Sequence, residues 1–326
     1  MMVLQYLSAK LSVLPSIVRP LYDALTTRSL PWSLRWRTLT LFPINILTAL
    51  LTSPTWLFNN RYSVIYVPTR SGPKRCLVYL PPEEKDESKS NIGQEKQRPL
   101  HIDAHGGAFL GGLAEYNARW CSFLSDRTGA VVISVQYRSA PRYTYPAAHE
   151  DVDDIVTYLL THASDFNINV DTELLTLGGS SAGANLLLST SQSLVKRNGI
   201  KPLAFISFCP VLDLRVPPSQ KPKPPSFPKQ DPSRFLMPLF DAYAAPVRPE
   251  CDGDARLHPI LARKEALPRD VLVVVAGIDI LAHEQLSFVE RVQGELEGEG
   301  NPEGRRVEAR VFERAFHGWL ECKCLP

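Results

Sequence analysis

ELLTLGGSSAGANLLLST, residues 173–190, passes from one periodicity to another through a single tight turn. Glu173 to Gly179 reads as a strand, and Ala182 to Lys196 reads as a helix. Between them, Gly179-Ser180-Ser181-Ala182-Gly183 has the G-x-S-x-G pattern. Its glycines let the backbone fold sharply, and its central serine is pushed into a strained turn with the hydroxyl exposed above a sheet. Five residues alone match by chance in Gly- and Ser-rich loops, so the flanking strand and helix give the pattern its weight. The plainer alternative is a helix N-cap, in which Ser180 or Ser181 merely satisfies free N–H groups.

Outward from this turn the chain keeps alternating. PLHIDAH (99–105) is a strand, Ala114 to Arg127 a helix, AVVISVQY (130–137) a strand, and Ala147 to His162 a helix with Val152, Ile155, Val156 and Leu159 on one face. Downstream, LAFISFCPV (203–211) and VLVVVAG (271–277) are strands, Ala282 to Leu296 a helix, and VEARVF (307–312) the last strand. Such alternation implies crossovers through helices and a mostly parallel central sheet with helices on both faces, an α/β fold. Upstream, YSVIYVP (62–68) and KRCLVYLPP (74–82) read as an N-terminal β-hairpin, and Glu83 to Arg98 as a solvated loop.

Two regions stay outside the alternation. Residues 1–60 are helical and apolar with prolines at 15, 20, 31, 43 and 54, and are expected to form a helical N-terminal cap. Residues 61–326 are the expected main domain, and within it 214–257 carry the tract PPSQKPKPPSFPKQDP. That tract is expected to be an extended surface connection, a Pro-rich cap or loop insertion, with a short helix at Phe235 to Ala244. Both regions are lid candidates.

Composition narrows the partners. The chain has 326 residues, 44% hydrophobic and 21% charged, which suits a buried core. Its 36 Lys plus Arg against 34 Asp plus Glu leave a net charge of +2, with no field to gather nucleic acid. The six cysteines, at 76, 121, 209, 251, 322 and 324, lack zinc-site spacing and read as free thiols, so no metal is expected. The N-terminus lacks a basic region before an unbroken apolar stretch, so a cytoplasmic setting is expected. Leu39 to Phe58 is uncharged and about long enough to span a bilayer of ~30 Å. Pro43, Pro54 and Asn45 argue instead for a helix packed on the protein or lying at a membrane surface.

Serine is a poor nucleophile at neutral pH and needs a base and a group to hold that base. On a turn of this type the chain order is nucleophile, acid, histidine, with the last two following late strands. VLVVVAG is followed at once by Ile278-Asp279, and VEARVF by Glu313-Arg-Ala-Phe-His317. Ser181 is therefore the candidate nucleophile, His317 the base and Asp279 the orienting acid, with Glu284 as the substitute for Asp279. Of the other downstream histidines, His258 precedes the late strand and His283 sits beside Glu284 on a helix. His105-Gly106-Gly107-Ala108-Phe109 follows the strand LHIDA. Its small residues suit an oxyanion hole built from the N–H groups of Gly106, Gly107 and Ala182, with that of Ala108 as a further candidate donor.

Taken in order, HGGAF, Tyr137-Arg-Ser-Ala-Pro141, Tyr145-Pro146-Ala-Ala-His-Glu-Asp151, GGSSAGAN, HPILA from His258, Asp279 and the terminal FHGW resemble the hormone-sensitive-lipase-like branch of the α/β-hydrolase fold. The resemblance covers about residues 61–320. It implies a serine esterase hydrolysing small or medium acyl esters, no cofactor, and an N-terminal helical cap over the acyl pocket. Transfer of the acyl group to another acceptor, cyclisation, and a non-catalytic ligand-binding role are the alternatives. Three positions depart from the family pattern: Ala108 stands where many members have Gly, Ser180 where Asp is common, and the chain ends nine residues after His317. The last departure predicts a bare apolar face on the sheet.

Overall fold

A computed structural model describes residues 2–58, 61–82, 97–229, 231, 234–298, 300–301 and 303–321. The predicted loop over 83–98 and the cysteines at 322 and 324 lie almost wholly outside the described residues. The core sheet holds β1 (Tyr62–Val67), β2 (Lys74–Tyr79), β3 (Arg98–Ala104), β4 (Val131–Val135), β5 (Val170–Ser180), β6 (Ala204–Phe208), β7 (Asp270–Ile278) and β8 (Val307–Phe316). Their spatial order is β1-β2-β4-β3-β5-β6-β7-β8. The predicted hairpin forms the antiparallel edge, β2 also meets β4 antiparallel, and every pairing from β4 to β8 is parallel. The central strands read as unbroken apolar runs because helices cover both faces; all five residues of β4 are buried.

The helices that cover the sheet are α4 (Ala118–Thr128), α5 (Ala147–His162), α6 (Ala182–Asn198) and α8 (Ala282–Gly298). In α5 the buried face includes Val152, Ile155, Val156 and Leu159, as the spacing predicts. The helix expected from Ala114 opens instead as a 3-10 turn, Ala114–Asn117. Ala114 is pinned to β4 and the residue after it: its carbonyl accepts Ser134 Oγ at 3.0 Å and its N–H donates to Gln136 Oε1 at 3.1 Å.

Residues 2–57 form three helices, α1 (Met2–Leu11), α2 (Leu14–Thr26) and α3 (Trp32–Leu57). α3 runs unbroken through Pro43 and Pro54. Pro54 has no N–H to give the carbonyl of Leu50, and Ser53 Oγ supplies the missing bond at 2.7 Å. Among the described residues no helix is long and apolar enough to cross a membrane, α3 with its stretch 39–58 included. Val13, Ala49 and Trp56 from these helices join Tyr62, Leu77, Tyr79 and Val132 in one apolar cluster.

The 214–257 region contains a 3-10 turn at Arg234–Leu236 and a single helical turn, α7 (Met237–Phe240), shorter than expected. Its Pro-rich tract runs over the surface but is anchored, because Lys221 is buried, bonded to Glu284 and, at 2.5 Å, to the carbonyl of Asp213. The two regions outside the alternation also touch each other. Arg37 Nε donates to the carbonyl of Phe235 at 2.7 Å, and the rings of Trp36 and Phe235 stack at 6.4 Å. On β8, Val311, Phe312 and Phe316 are exposed, and Phe312 packs on Trp319 at 5.3 Å.

Candidate active site

Four strands of the parallel part of the sheet end on one edge, and the sequence candidates stand directly after them: His105 to Ala108 after β3, Ser181 after β5, Asp279 after β7 and His317 after β8. Ligands of open α/β sheets meet such carboxyl ends. Ser181 has φ 49° and ψ −114°, a conformation that residues with a Cβ rarely adopt. It is held there by its N–H on the carbonyl of Phe208 at 2.8 Å and by its carbonyl accepting Val211 N–H at 3.3 Å. A Cβ added at Gly183 would lie 2.2 Å from the carbonyl oxygen of Ala104, so α6 can meet the end of β3 only through glycine. Ser181 occupies the N-cap position of α6 but makes no side-chain cap bond. The N-cap role thus does not describe the hydroxyl.

Ser181 Oγ lies 3.0 Å from His317 Nε2, and His317 Nδ1 lies 2.7 Å from Asp279 Oδ2. The second oxygen of Asp279 accepts Leu281 N–H at 3.0 Å, which fixes the plane of the buried carboxylate. A nitrogen facing a carboxylate carries the proton, so this network assigns the tautomer with a free lone pair on Nε2, aimed at Ser181. The imidazole is the open side of the group, with a side-chain exposure of 42% against 2% for Asp279.

Glu284, the sequence substitute for Asp279, sits elsewhere. Its Oε1 accepts the N–H groups of Leu212 and Asp213 at 2.8 and 3.1 Å, and its Oε2 holds Lys221. Burial pushes its carboxyl pKa up, against the pull of Lys221. His258 accepts Leu214 N–H at 3.1 Å and is buried, with its pKa lowered mainly by that burial, and His283 is exposed on α8. Neither approaches the group around Ser181 in the bonds it makes.

The segment after β3 coils back on itself. Gly107, Ala108 and Phe109 all have positive φ, at 121°, 52° and 61°, and Leu110 N–H returns to the carbonyl of Gly107 at 2.8 Å. A Cβ on Gly107 would lie 2.2 Å from the carbonyl oxygen of Gly111. Ala108 keeps its Cβ in the left-handed region, so the departure from Gly is accommodated at a small strain. A Cβ on Gly106 would lie 3.3 Å from Ser181 Cβ, which puts this backbone beside the serine. Among the described residues no carbonyl accepts the N–H of Gly106, Gly107 or Ala182. His105 is structural: its ring is buried, stacks on Tyr137 at 4.5 Å, and burial pushes its pKa down to about 4.

Three neighbours escaped the sequence reading. Asn117 Oδ1 accepts Ser180 Oγ at 3.4 Å while its Nδ2 donates to Asp103 at 2.9 Å, tying the residue before Ser181 to β3. Tyr137 donates to the carbonyl of His105 at 2.7 Å. Cys209, just past the end of β6, places its sulfur near Asp279 and His317. It is brought there because β6 lies between β5 and β7 in the sheet.

Residues 101–321 match the family model described as alpha/beta hydrolase fold. This chain belongs to the α/β-hydrolase fold family. The hydrolase is 27% identical over 243 residues to an esterase of Gibberella moniliformis, covering 71% of this chain and 70% of that protein. It is 34% identical over 125 residues to an acetyl esterase of Salmonella schwarzengrund, covering 38% of this chain and only 34% of that protein. A solved hyperthermophilic esterase from Pyrobaculum calidifontis superposes with a TM-score of 0.68 at 25% identity, covering 87% of this hydrolase and 86% of that chain.

Proposed function

We propose that this α/β-hydrolase cleaves carboxylic esters of small or medium acyl groups through an acyl-enzyme on Ser181. The observation that carries the reading is the continuous line from Asp279 through His317 to Ser181 Oγ, at 2.7 and 3.0 Å. Esterase names among the relatives support it, as does the family.

His317 Nε2 takes the Ser181 proton as Oγ attacks the ester carbonyl, and the amides of Gly106, Gly107 and Ala182 receive the developing oxyanion. The tetrahedral adduct collapses, His317 returns the proton to the leaving alcohol, and water repeats the attack on the acyl-enzyme. Asp279 keeps the imidazole in the required tautomer and offsets its transient charge. We assign α1–α3, with the 214–257 region that they touch, as the cap over the acyl pocket. A Cβ at Gly111, in the loop after Gly107, would lie 3.7 Å from Pro20 of α2, which supports that placement.

The test is labelling with a fluorophosphonate, followed by turnover of p-nitrophenyl esters of graded acyl length. The wild type takes up the probe and Ser181→Ala does not; equal labelling of both refutes the nucleophile. Product analysis with a competing alcohol separates hydrolysis from acyl transfer, and a wild-type protein that neither labels nor turns over refutes an enzyme role.

A further inference from the structure

One reactive group beside the candidate site has no part in the proposed reaction: the thiol of Cys209. It is buried, and its sulfur, a carboxylate oxygen of Asp279 and a ring nitrogen of His317 all lie within 4.8 Å of one another. We propose that these three side chains bind a thiophilic divalent cation such as Zn2+, and that its binding switches the hydrolase off. Thiolate, imidazole and carboxylate are a zinc donor set, and three protein ligands leave a fourth position for water. The thiolate selects zinc or cadmium over magnesium and calcium. His317, with its side chain 42% exposed, is the most open of the three.

Coordination through either ring nitrogen removes the base. Bound at Nε2, the cation takes the lone pair that Ser181 needs. Bound at Nδ1, it replaces the proton shared with Asp279, so the ring proton resides on Nε2, which then donates to Ser181 rather than accepting from it. The thiol proton is released to solvent as the thiolate forms. The inhibition rests on the esterase reading above, whereas the binding site does not.

Calorimetric titration of Ser181→Ala with ZnCl2 is therefore run beside Zn2+ inhibition of p-nitrophenyl acetate hydrolysis by the wild type. We expect one bound Zn2+ per chain, hydrolysis that falls with occupancy and returns with EDTA, and indifference to Mg2+. Cys209→Ser, or Cys209→Ala if the serine variant does not fold, should weaken binding and inhibition at least about tenfold. Unchanged zinc affinity in both variants overturns the site, and binding without inhibition overturns the switch. A wild type with no hydrolysis at all refutes the esterase reading while calorimetry still reads the site.

A second inference rests on a different face. Leu14, Val18, Tyr22 and Leu25 of α2 are 53, 47, 57 and 60% exposed. At about 100° per residue they fall within an arc of about 80°, while Pro20 and the buried Asp23 and Ala24 lie on the other side. The stripe therefore points away from the sheet and from Gly111. Of the five basic side chains in residues 1–58, Lys10 is buried and Arg19, Arg28, Arg35 and Arg37 are wholly or partly exposed, while the one acidic side chain, Asp23, is buried and paired with Arg142 at 2.6 Å. α3 adds Ile44, Leu47 and Leu51, 48, 55 and 67% exposed. We infer that this helical layer docks on an anionic phospholipid surface, apolar stripe inward, without spanning it.

Flotation with phosphatidylcholine vesicles, with and without phosphatidylserine, tests this. The protein should float with the anionic vesicles only, and Val18→Glu/Tyr22→Glu should lose flotation while keeping the wild-type far-UV circular dichroism and thermal melt. No flotation of the wild type overturns the inference. So does a double variant that still floats, including one in which only a dimer seen by gel filtration is lost.

Discussion

Asp279 and Glu284 flank the start of α8 and serve different partners: Asp279 Oδ2 meets His317 Nδ1 at 2.7 Å, whereas Glu284 takes the amides of Leu212 and Asp213 and the ammonium of Lys221. Asp279→Asn should lower kcat by about 10³- to 10⁴-fold with little change in KM, because an amide stabilises the wrong imidazole tautomer. Folded Glu284→Gln should keep kcat within a few-fold. Steady-state kinetics on one p-nitrophenyl ester checks both, and equal losses would contradict the assignment.

The Lys221–Glu284 pair makes a stability prediction. Both side chains are buried, and the pair fastens the Pro-rich tract to α8. Lys221→Met strands a buried carboxylate and should cost about 3 to 5 kcal/mol in urea unfolding. Replacing both, as Lys221→Met/Glu284→Gln, should recover part of that loss. A single-variant cost under about 1 kcal/mol would show that the contact is not maintained in solution.

Ala108 holds φ 52° with a Cβ in place. Ala108→Gly removes that strain and should leave stability unchanged or raise it by up to about 1 kcal/mol, with ester turnover retained. Gly107→Ala should do the opposite, since its Cβ meets a backbone oxygen at 2.2 Å, and should abolish turnover even where the protein folds. Thermal melting and turnover measured on the two variants separate strain from blockage.

Acid stability follows from buried titratable groups. Burial lowers His101 to about 3, His105 to about 4 and His149 to about 3. Depressed in the folded state, they contribute stability that is present above pH ~6.5 and lost as pH falls through the folded values to about 3. Asp103 has the opposite sign: burial raises it to about 7, so its contribution is present below pH ~4 and lost as pH rises to 7. Near pH 5, unfolding should take up about three protons at the histidines and release about one from Asp103, about two net. The pH dependence of urea unfolding reads the total uptake, to which these four groups contribute, and Asp103→Asn should raise it by about one proton. A variant slope equal to or below the wild-type slope would contradict the assignment.

What the sequence made legible was periodicity and strand-end chemistry. The alternation from 99 to 312 carried the sheet because buried strands and amphipathic helices leave different spacings, and Ser181, Asp279 and His317 were visible because each directly follows such a strand. α3 was harder to read, since Pro54 looks like a break until Ser53 is seen to supply the bond to Leu50. The choice between Asp279 and Glu284 depended on Lys221, which is distant in sequence and lies in a tract read as surface. Asn117 and Cys209 were missed for the same reason: their partners come from neighbouring strands, an adjacency that spacing along the chain does not encode.

The hydroxyl of Ser181 does not cap α6, so on the proposed mechanism Ser181→Ala serves as a capture reagent. Deleting that oxygen gives up its 3.0 Å contact with His317 Nε2 but leaves the helix start and the 2.7 Å His317–Asp279 bond in place. The variant should retain an intact ester that the wild type would consume. Isolated from cells and extracted into organic solvent, it could yield its natural substrate to mass spectrometry directly.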